Sequence, residues 1–331
     1  MFKNTARYLD KYRIKGLDHH IAIIDNRTDV IKFLITSNQM KERHKSISSW
    51  DFENLYTNIP HQKLKQKIKH FVFKIFELKD AKFITTNSKR AYFTKTRSKV
   101  NVSCNNGVLV SWINYIIDNA YISYNGELFR QIIGIPMGTS CAPYLANLFL
   151  HVYEYEYLKQ LVENGNLDIA KKLQNLYRYQ DDCLSLNDSN LFHEHYSNIY
   201  PKELVLKNTN ISRDKSTFLD TIISIYRGKF TFKMYDKRND FNFNVVKFPH
   251  LHGKIPRIPS YGVFTSQLLR VCDVNMYSKH FRKDVVDIFK CFKSQGFDTV
   301  KLKGYYHKFC DKYYFKWCKF GDDITRLCNN L

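Results

Sequence analysis

LYRYQDDCLSL, Leu176 to Leu186, is the stretch on which the fold turns. Two short alternating runs flank Gln180 and Asp181, the pattern of a β-hairpin whose tip carries consecutive acids. Adjacent strand residues point to opposite faces, so only one of the pair can aim straight into a cleft. Asp181 is expected to be the principal acid and Asp182 the secondary one. Alone the string is a poor witness, because average residue frequencies produce Tyr-x-Asp-Asp in roughly one chain in thirty of this length. Its ordinary meaning is a surface turn.

Working upstream, the helix before the hairpin is announced by GIPMGTSCAP, Gly134 to Pro143. Pro143 stands near the helix start, and Leu145, Leu148, Phe149 and Val152 form one apolar face. Farther back, Pro60 suits a first helical turn, with Leu64, Ile68, Phe71, Ile75 and Leu78 at three- and four-residue spacing. Lys63, Lys65, Lys67, Lys69 and Lys74 fall mostly off that stripe, which reads as a basic face for a phosphate backbone or as a solvated lysine face. Before it, Ser46 to Asp51 reads as a short strand ending in a third acid, and a helix is expected over Asp29 to Met40. Downstream, Phe218 to Phe232 reads as a strand pair turning at Arg227 and Gly228. The last hundred residues read as helical, with Val285, Ile288, Phe289 and Phe292 on one face.

The order is therefore strand with Asp, basic helix, Gly-rich turn with helix, then Asp-Asp hairpin. Phosphoryl transfer asks a protein mainly for positioning and charge stabilisation, and carboxylates that hold Mg²⁺ supply both. Asp51, Asp181 and Asp182 are the candidate catalytic and metal-binding residues.

DFENLYTNIPH (Asp51 to His61), GIPMGTSCAPYLANLFL (Gly134 to Leu150), RYQDD (Arg178 to Asp182) and FLDTII (Phe218 to Ile223) resemble, in order and wording, the reverse transcriptases of Penelope-like retroelements. FPHLHGKIPRIPSYGVFTSQLLR (Phe248 to Arg270) resembles the approach to the thumb of those proteins. The resemblance runs from about residue 20 to about residue 310. It implies an α+β fold: a right-hand polymerase palm, an antiparallel sheet with helices, followed by a helical thumb. The implied division is a remnant of fingers and N-terminal helices at 1–45, a palm at 46–235 with a fingers-like insertion at 62–130, and a basic thumb at 236–331.

The resemblance further implies two Mg²⁺ ions, with Mn²⁺ as a substitute, and an RNA template, a DNA primer and deoxynucleoside triphosphates as partners. Position by position it implies that Phe52 offers a backbone carbonyl beside Asp51. Tyr56 lies beneath the incoming sugar, where its ring would collide with a 2′-hydroxyl; its bland reading is a core tyrosine. Pro136 and Met137 stiffen and pack the nucleotide loop, and Gly134 and Gly138 let backbone approach a base pair. Phe218 and Leu219 support the primer terminus, with Asp220 structural. Lys207 and Lys215 are candidates for protonating the leaving pyrophosphate.

Composition agrees. The 331 residues carry 52 Lys and Arg against 31 Asp and Glu, a net charge of +21, with 15% aromatic residues. Such a balance calls for a polyanion or an anionic membrane surface, and the interleaving of basic and aromatic residues favours nucleic acid. Charge that serves solubility alone is the competing reading. No apolar run reaches the length of a membrane span, because Asn114, Asp118 and Asn119 interrupt Gly107 to Ile122. The N-terminus carries no signal-like segment, so an intracellular place, nucleus or cytoplasm, is expected. The eight cysteines include no CxxC pair, and His307, Cys310, Cys318 and Cys328 lack zinc-ribbon spacing, so free thiols are expected.

Two departures from the family pattern stand out. Only 50 residues precede Asp51, and Arg7, Lys11, Arg13 and Lys15 match no fingers motif. The segment after the thumb leaves no room for a GIY-YIG endonuclease. Either the chain is a truncated copy or fragment, or the fingers are supplied differently, and the alternative function is that of an inactive remnant that binds RNA or hybrid duplex. A third reading, an RNA-dependent RNA polymerase, shares the palm chemistry but conflicts with Tyr56.

Overall fold

A computed structural model describes residues 14–17, 21–39, 43–88, 90–187, 189–243 and 245–330. Arg7, Lys11, Arg13 and the expected helix end at Met40 lie outside those residues. Two compact units emerge, one from the described residues up to Ile23 with Ser48–Thr209, the other from Ile24–Ile47 with Asn210–Leu331.

In chain order the elements begin with β1 (Ala22–Ile23), α1 (Arg27–Gln39), β2 (Ile47–Glu53), the single turn α2 (Leu55–Asn58) and α3 (His61–Leu78). Next come β3 (Phe83–Thr86), β4 (Ala91–Thr94), β5 (Val102–Cys104), α4 (Asn106–Asp118), β6 (Tyr121–Tyr124) and β7 (Glu127–Arg130). Then follow α5 (Ala142–Glu163), α6 (Leu167–Leu173), β8 (Leu176–Tyr179), β9 (Asp182–Leu186), α7 (Ser189–Ile199) and β10 (Val205–Asn208). The second unit adds β11 (Lys215–Phe218), β12 (Thr221–Tyr226), β13 (Lys229–Met234), α8 (Arg257–Val274), α9 (Ser278–Ser294), α10 (Thr299–Lys312) and α11 (Tyr314–Trp317).

The first unit is built on a five-stranded sheet in the order β1-β8-β9-β2-β10. β1 runs parallel to β8, while β8 with β9 and β2 with β10 are antiparallel. Helix α5 is the centre of its core. It buries Leu145, Leu148, Phe149 and Val152 as expected, but also Ala146, Leu150, His151 and Glu154, and it packs on α2, α3, α6 and α7. A helix covered on several sides loses the one-faced pattern of a surface helix. Helix α3 keeps that pattern, burying Leu64, Ile68, Phe71, Val72, Ile75 and Phe76; Leu78, expected on the stripe, is exposed at its end.

The lysines of α3 do not form a free basic face. Lys63 pairs with Glu203 at 2.7 Å and Lys74 with Glu77 at 3.0 Å, and Lys65 and Lys67 pair with Asp118 and Glu156. Helices α4 and α5 supply Asp118 and Glu156 and the turn before β10 supplies Glu203, none of which helical spacing alone could disclose; only Glu77 lies on α3 itself.

In the second unit β11, β12 and β13 form an antiparallel sheet in that order. Arg227 and Gly228, both at positive φ (51° and 76°), close the β12–β13 turn where the sequence places it. The helices after it share a core built around Phe264, Phe281, Phe289, Phe292, Tyr306 and Phe309. Among the described residues no helix is long and apolar enough to cross a membrane.

Candidate active site

Strand β2 lies between β9 and β10, and this order brings Asp51 to the hairpin that carries Asp181 and Asp182. The Phe52 N–H donates to the Asp181 carbonyl at 3.1 Å. Asp51 is half-buried between the buried Trp50 and Phe52, so pleating sends its side chain to the face opposite theirs. Across β10, Lys207 stands directly opposite Asp51 in the antiparallel register, which puts both side chains on one face. The Lys207 ammonium reaches Glu53 at 2.5 Å.

Tyr179 pairs with Asp182, leaving Gln180 and Asp181 as a two-residue turn. Gln180 holds φ at 52°, a left-handed conformation that residues other than Gly, Asn and Asp seldom adopt. Asp182 opens β9 and is half-buried, as is Asp181.

The Gly-rich loop is stitched to α2. Ile135 N–H donates to the Tyr56 carbonyl at 2.6 Å and Gly134 N–H to the Ile59 carbonyl at 2.8 Å; His61 Nε2 donates to the Gly134 carbonyl at 2.6 Å. Gly134 has φ of 83°, and a Cβ there would stand 2.5 Å from the Tyr56 carbonyl oxygen. Its missing side chain therefore makes room for protein backbone, not for a base pair, which corrects the reason expected from sequence. Gly138 has nothing within 4 Å of a Cβ position, so its approach side is open. Pro136 accepts from the Thr139 N–H at 3.2 Å and hydroxyl at 3.0 Å, and Met137 is 74% exposed.

Tyr56 is half-buried. Burial raises its phenol above the ordinary range and the Asp181 carboxylate adds to the rise, so the hydroxyl stays protonated while facing that charge. In the second unit Phe218 is buried and Leu219 turns the β11–β12 hairpin at φ 54°. Asp220 accepts from Arg27 at 2.8 Å and from Arg270 at 2.7 Å, the structural part expected of it.

Among the described residues no group of three or more His, Cys, Asp and Glu side chains converges as a metal site, and Cys104, Cys141, Cys183, Cys272, Cys291, Cys310 and Cys318 are free thiols. One cluster escaped the sequence reading. Arg178, fully buried in β8, pairs with fully buried Glu154 of α5 at 2.6 Å. A charged residue in the run LYRY signals a partner, because Arg is almost never fully buried unpaired. Asn147, His151 and Glu154, spaced four and three apart, form a polar line on α5 that could have supplied it.

Residues 2–243 match the family described as reverse transcriptase (RNA-dependent DNA polymerase). The chain belongs to the reverse transcriptase family. Its sheet of Asp-bearing strands with helices is the palm of this family, and the helices that follow are the thumb. Among solved structures, telomerase from Candida albicans in complex with a TWJ fragment of telomeric RNA superposes with a TM-score of 0.59 at 12% identity, covering 99% of this reverse transcriptase chain and 54% of that one. Apo telomerase from Candida tropicalis gives 0.49 at 14% identity, covering 98% and 54%. This reverse transcriptase chain thus spans about half the length of those telomerases (54%). No curated protein matches its sequence.

Proposed function

We propose that this chain extends a DNA primer on an RNA template as a reverse transcriptase of the Penelope-like type. The supporting observation is the 3.1 Å bond from Phe52 N–H to the Asp181 carbonyl, which ties the strand of Asp51 to the turn of Asp181 across neighbouring central strands of the sheet. Penelope-like membership rests on the wording of DFENLYTNIPH, GIPMGTSCAP, RYQDD and FLDTII.

Asp51 and Asp181, with Asp182 beside them, would hold divalent ions, Mg²⁺ first and Mn²⁺ as substitute. The donor set fits, because Mg²⁺ is commonly held by one or two carboxylates with water and substrate phosphates completing the shell, not by an all-protein cage. Bound there, the ions supply positive charge to the transferring phosphoryl group. The chain's own residues do the rest. Tyr56, protonated and held against the loop by Ile135, limits room at the sugar 2′ position. Gly138, open on one side, lets the loop approach the nucleotide, with Pro136 and Met137 shaping it. Lys207, opposite Asp51 and paired with Glu53, would donate a proton to the leaving pyrophosphate. Phe218 and Leu219 support the primer, with 46–235 acting as palm and 236–331 as thumb.

The test is incorporation of dTTP on poly(rA) primed with oligo(dT), in Mg²⁺ and again in Mn²⁺. Wild type is expected to extend the primer and Asp181→Asn to fall to background. Undiminished extension by Asp181→Asn overturns the assignment of the site, and hybrid binding without incorporation in either metal returns the chain to the inactive-remnant reading.

A further inference from the structure

Arg178 lies beneath the acid-bearing turn with 0% exposure, and each of its five N–H donors has an acceptor. Nε donates to Glu154 Oε1 at 2.6 Å and one terminal nitrogen to Glu154 Oε2 at 3.2 Å. That second nitrogen also donates to the Asn147 carbonyl at 3.3 Å. The other terminal nitrogen donates to Asn147 Oδ1 at 2.7 Å and to the carbonyl of Gln180 at 3.2 Å. Glu154 is closed by the Tyr200 hydroxyl at 2.8 Å.

Two features make this more than a buried ion pair. Gln180 is the left-handed residue of the turn, so one guanidinium nitrogen grips the strained corner from which Asp181 projects. Its other acceptors sit on α5, which starts at Ala142, directly after the Gly-rich loop. One planar group thus sets the spacing between the loop and the acids. Burial works against its charge, but the Glu154 carboxylate outweighs that and raises its pKa above the ordinary arginine value. Such pairs seldom add net stability compared with apolar packing, so a positional role explains a charge kept here better than stability does.

We infer that Arg178 is a positioning residue: it fixes the Asp181 turn against the helix that follows the Gly-rich loop, and through that spacing governs nucleotide addition without touching nucleotide. The inference rests on the polymerase reading above.

Full-length wild type, Arg178→Lys and Asn147→Ala are compared with oligo(dT) on poly(rA), dTTP and a Mg²⁺ titration, rates being taken per folded molecule. Lysine cannot serve Glu154, Asn147 and Gln180 together, and kcat should fall about 100-fold, as for a small misplacement of reacting groups. Asn147 is only half-buried, so its alanine variant should fold, keep the Arg178–Glu154 pair and lose about tenfold, one hydrogen bond's worth. In both, half-saturating Mg²⁺ should rise several-fold while hybrid affinity and the KM for dTTP hold. A merely structural pair would lower the melting temperature and leave kcat and the Mg²⁺ dependence of folded molecules untouched, which overturns the inference. If Arg178→Lys does not fold, Asn147→Ala decides by the same criterion. Should wild type itself fail to incorporate, the polymerase reading falls separately. Amide exchange at Asp181 to Cys183 then decides the positional claim: faster exchange in Asn147→Ala upholds it and unchanged exchange ends it.

Discussion

Gly134 and Gly138 share a loop for different reasons, and the difference is measurable. At Gly134 an added Cβ would meet the Tyr56 carbonyl oxygen at 2.5 Å and the Thr57 Cα at 2.7 Å, at a φ of 83°. Neither neighbour is a flexible side-chain tip, so Gly134→Ala combines left-handed strain with a backbone clash and should cost about 2–4 kcal/mol in denaturant unfolding. Gly138 has open space around it, and Gly138→Ala should change stability by less than about 0.5 kcal/mol. If its open side is where nucleotide comes, that same change raises the KM for dTTP. Equal stability losses at the two positions would contradict the packing described. Both glycines were legible as loop residues, but which one was reserved for protein and which left open depended on α2, folded from residues nearly eighty positions upstream.

Among the elements, the β8–β9 and β12–β13 hairpins were readable because alternation and turn chemistry are local, whereas tertiary partners are not. Asn125–Gly126, at φ 51° and 83° between β6 and β7, is a strong hairpin signal that the reading passed over. The α3 lysines misled because Asp118 and Glu156 come from other helices. A similar local pairing after β13 has a pH signature. Asp236 accepts from Arg238 at 2.6 Å, and that bond, with Lys247 nearby, holds its carboxyl down at about 2. Because the folded pKa is below the unfolded one, its stabilisation is complete above about pH 4 and is lost as pH falls through about 2. Asp236→Asn should therefore destabilise by about 1 kcal/mol at pH 7, the side chain being partly open to solvent. In urea unfolding the gap from wild type should narrow steadily as pH drops from 4 to 2; a gap that widens there would reverse the sign of the coupling.

For the molecule as a whole, the net charge of +21 matters less than where it is uncommitted. Four lysines of α3 are ion-paired. From Lys279 to Lys319 eleven Lys or Arg face four Asp, a net of +7, and among the described residues Lys301, Lys303 and Lys308 of α10 make no ion pair, Lys308 lying 5.8 Å from the Tyr305 ring centroid. Counterion release makes the slope of log K against log salt a count of phosphate contacts, each worth roughly 0.9 on duplex. Substituting Lys301, Lys303 and Lys308 with Gln should therefore flatten the slope for an RNA–DNA hybrid by as much as roughly 2 to 3. Lys63, Lys65 and Lys67 are already committed to Glu203, Asp118 and Glu156, so the same change there removes no phosphate contact and should flatten the slope far less. Titrating both triple variants with KCl separates these cases, because affinity alone falls in each and only the slope reports which lysines meet phosphate. A flattened slope from the α3 triple with none from the α10 triple would move the nucleic-acid grip from the thumb helices to the palm.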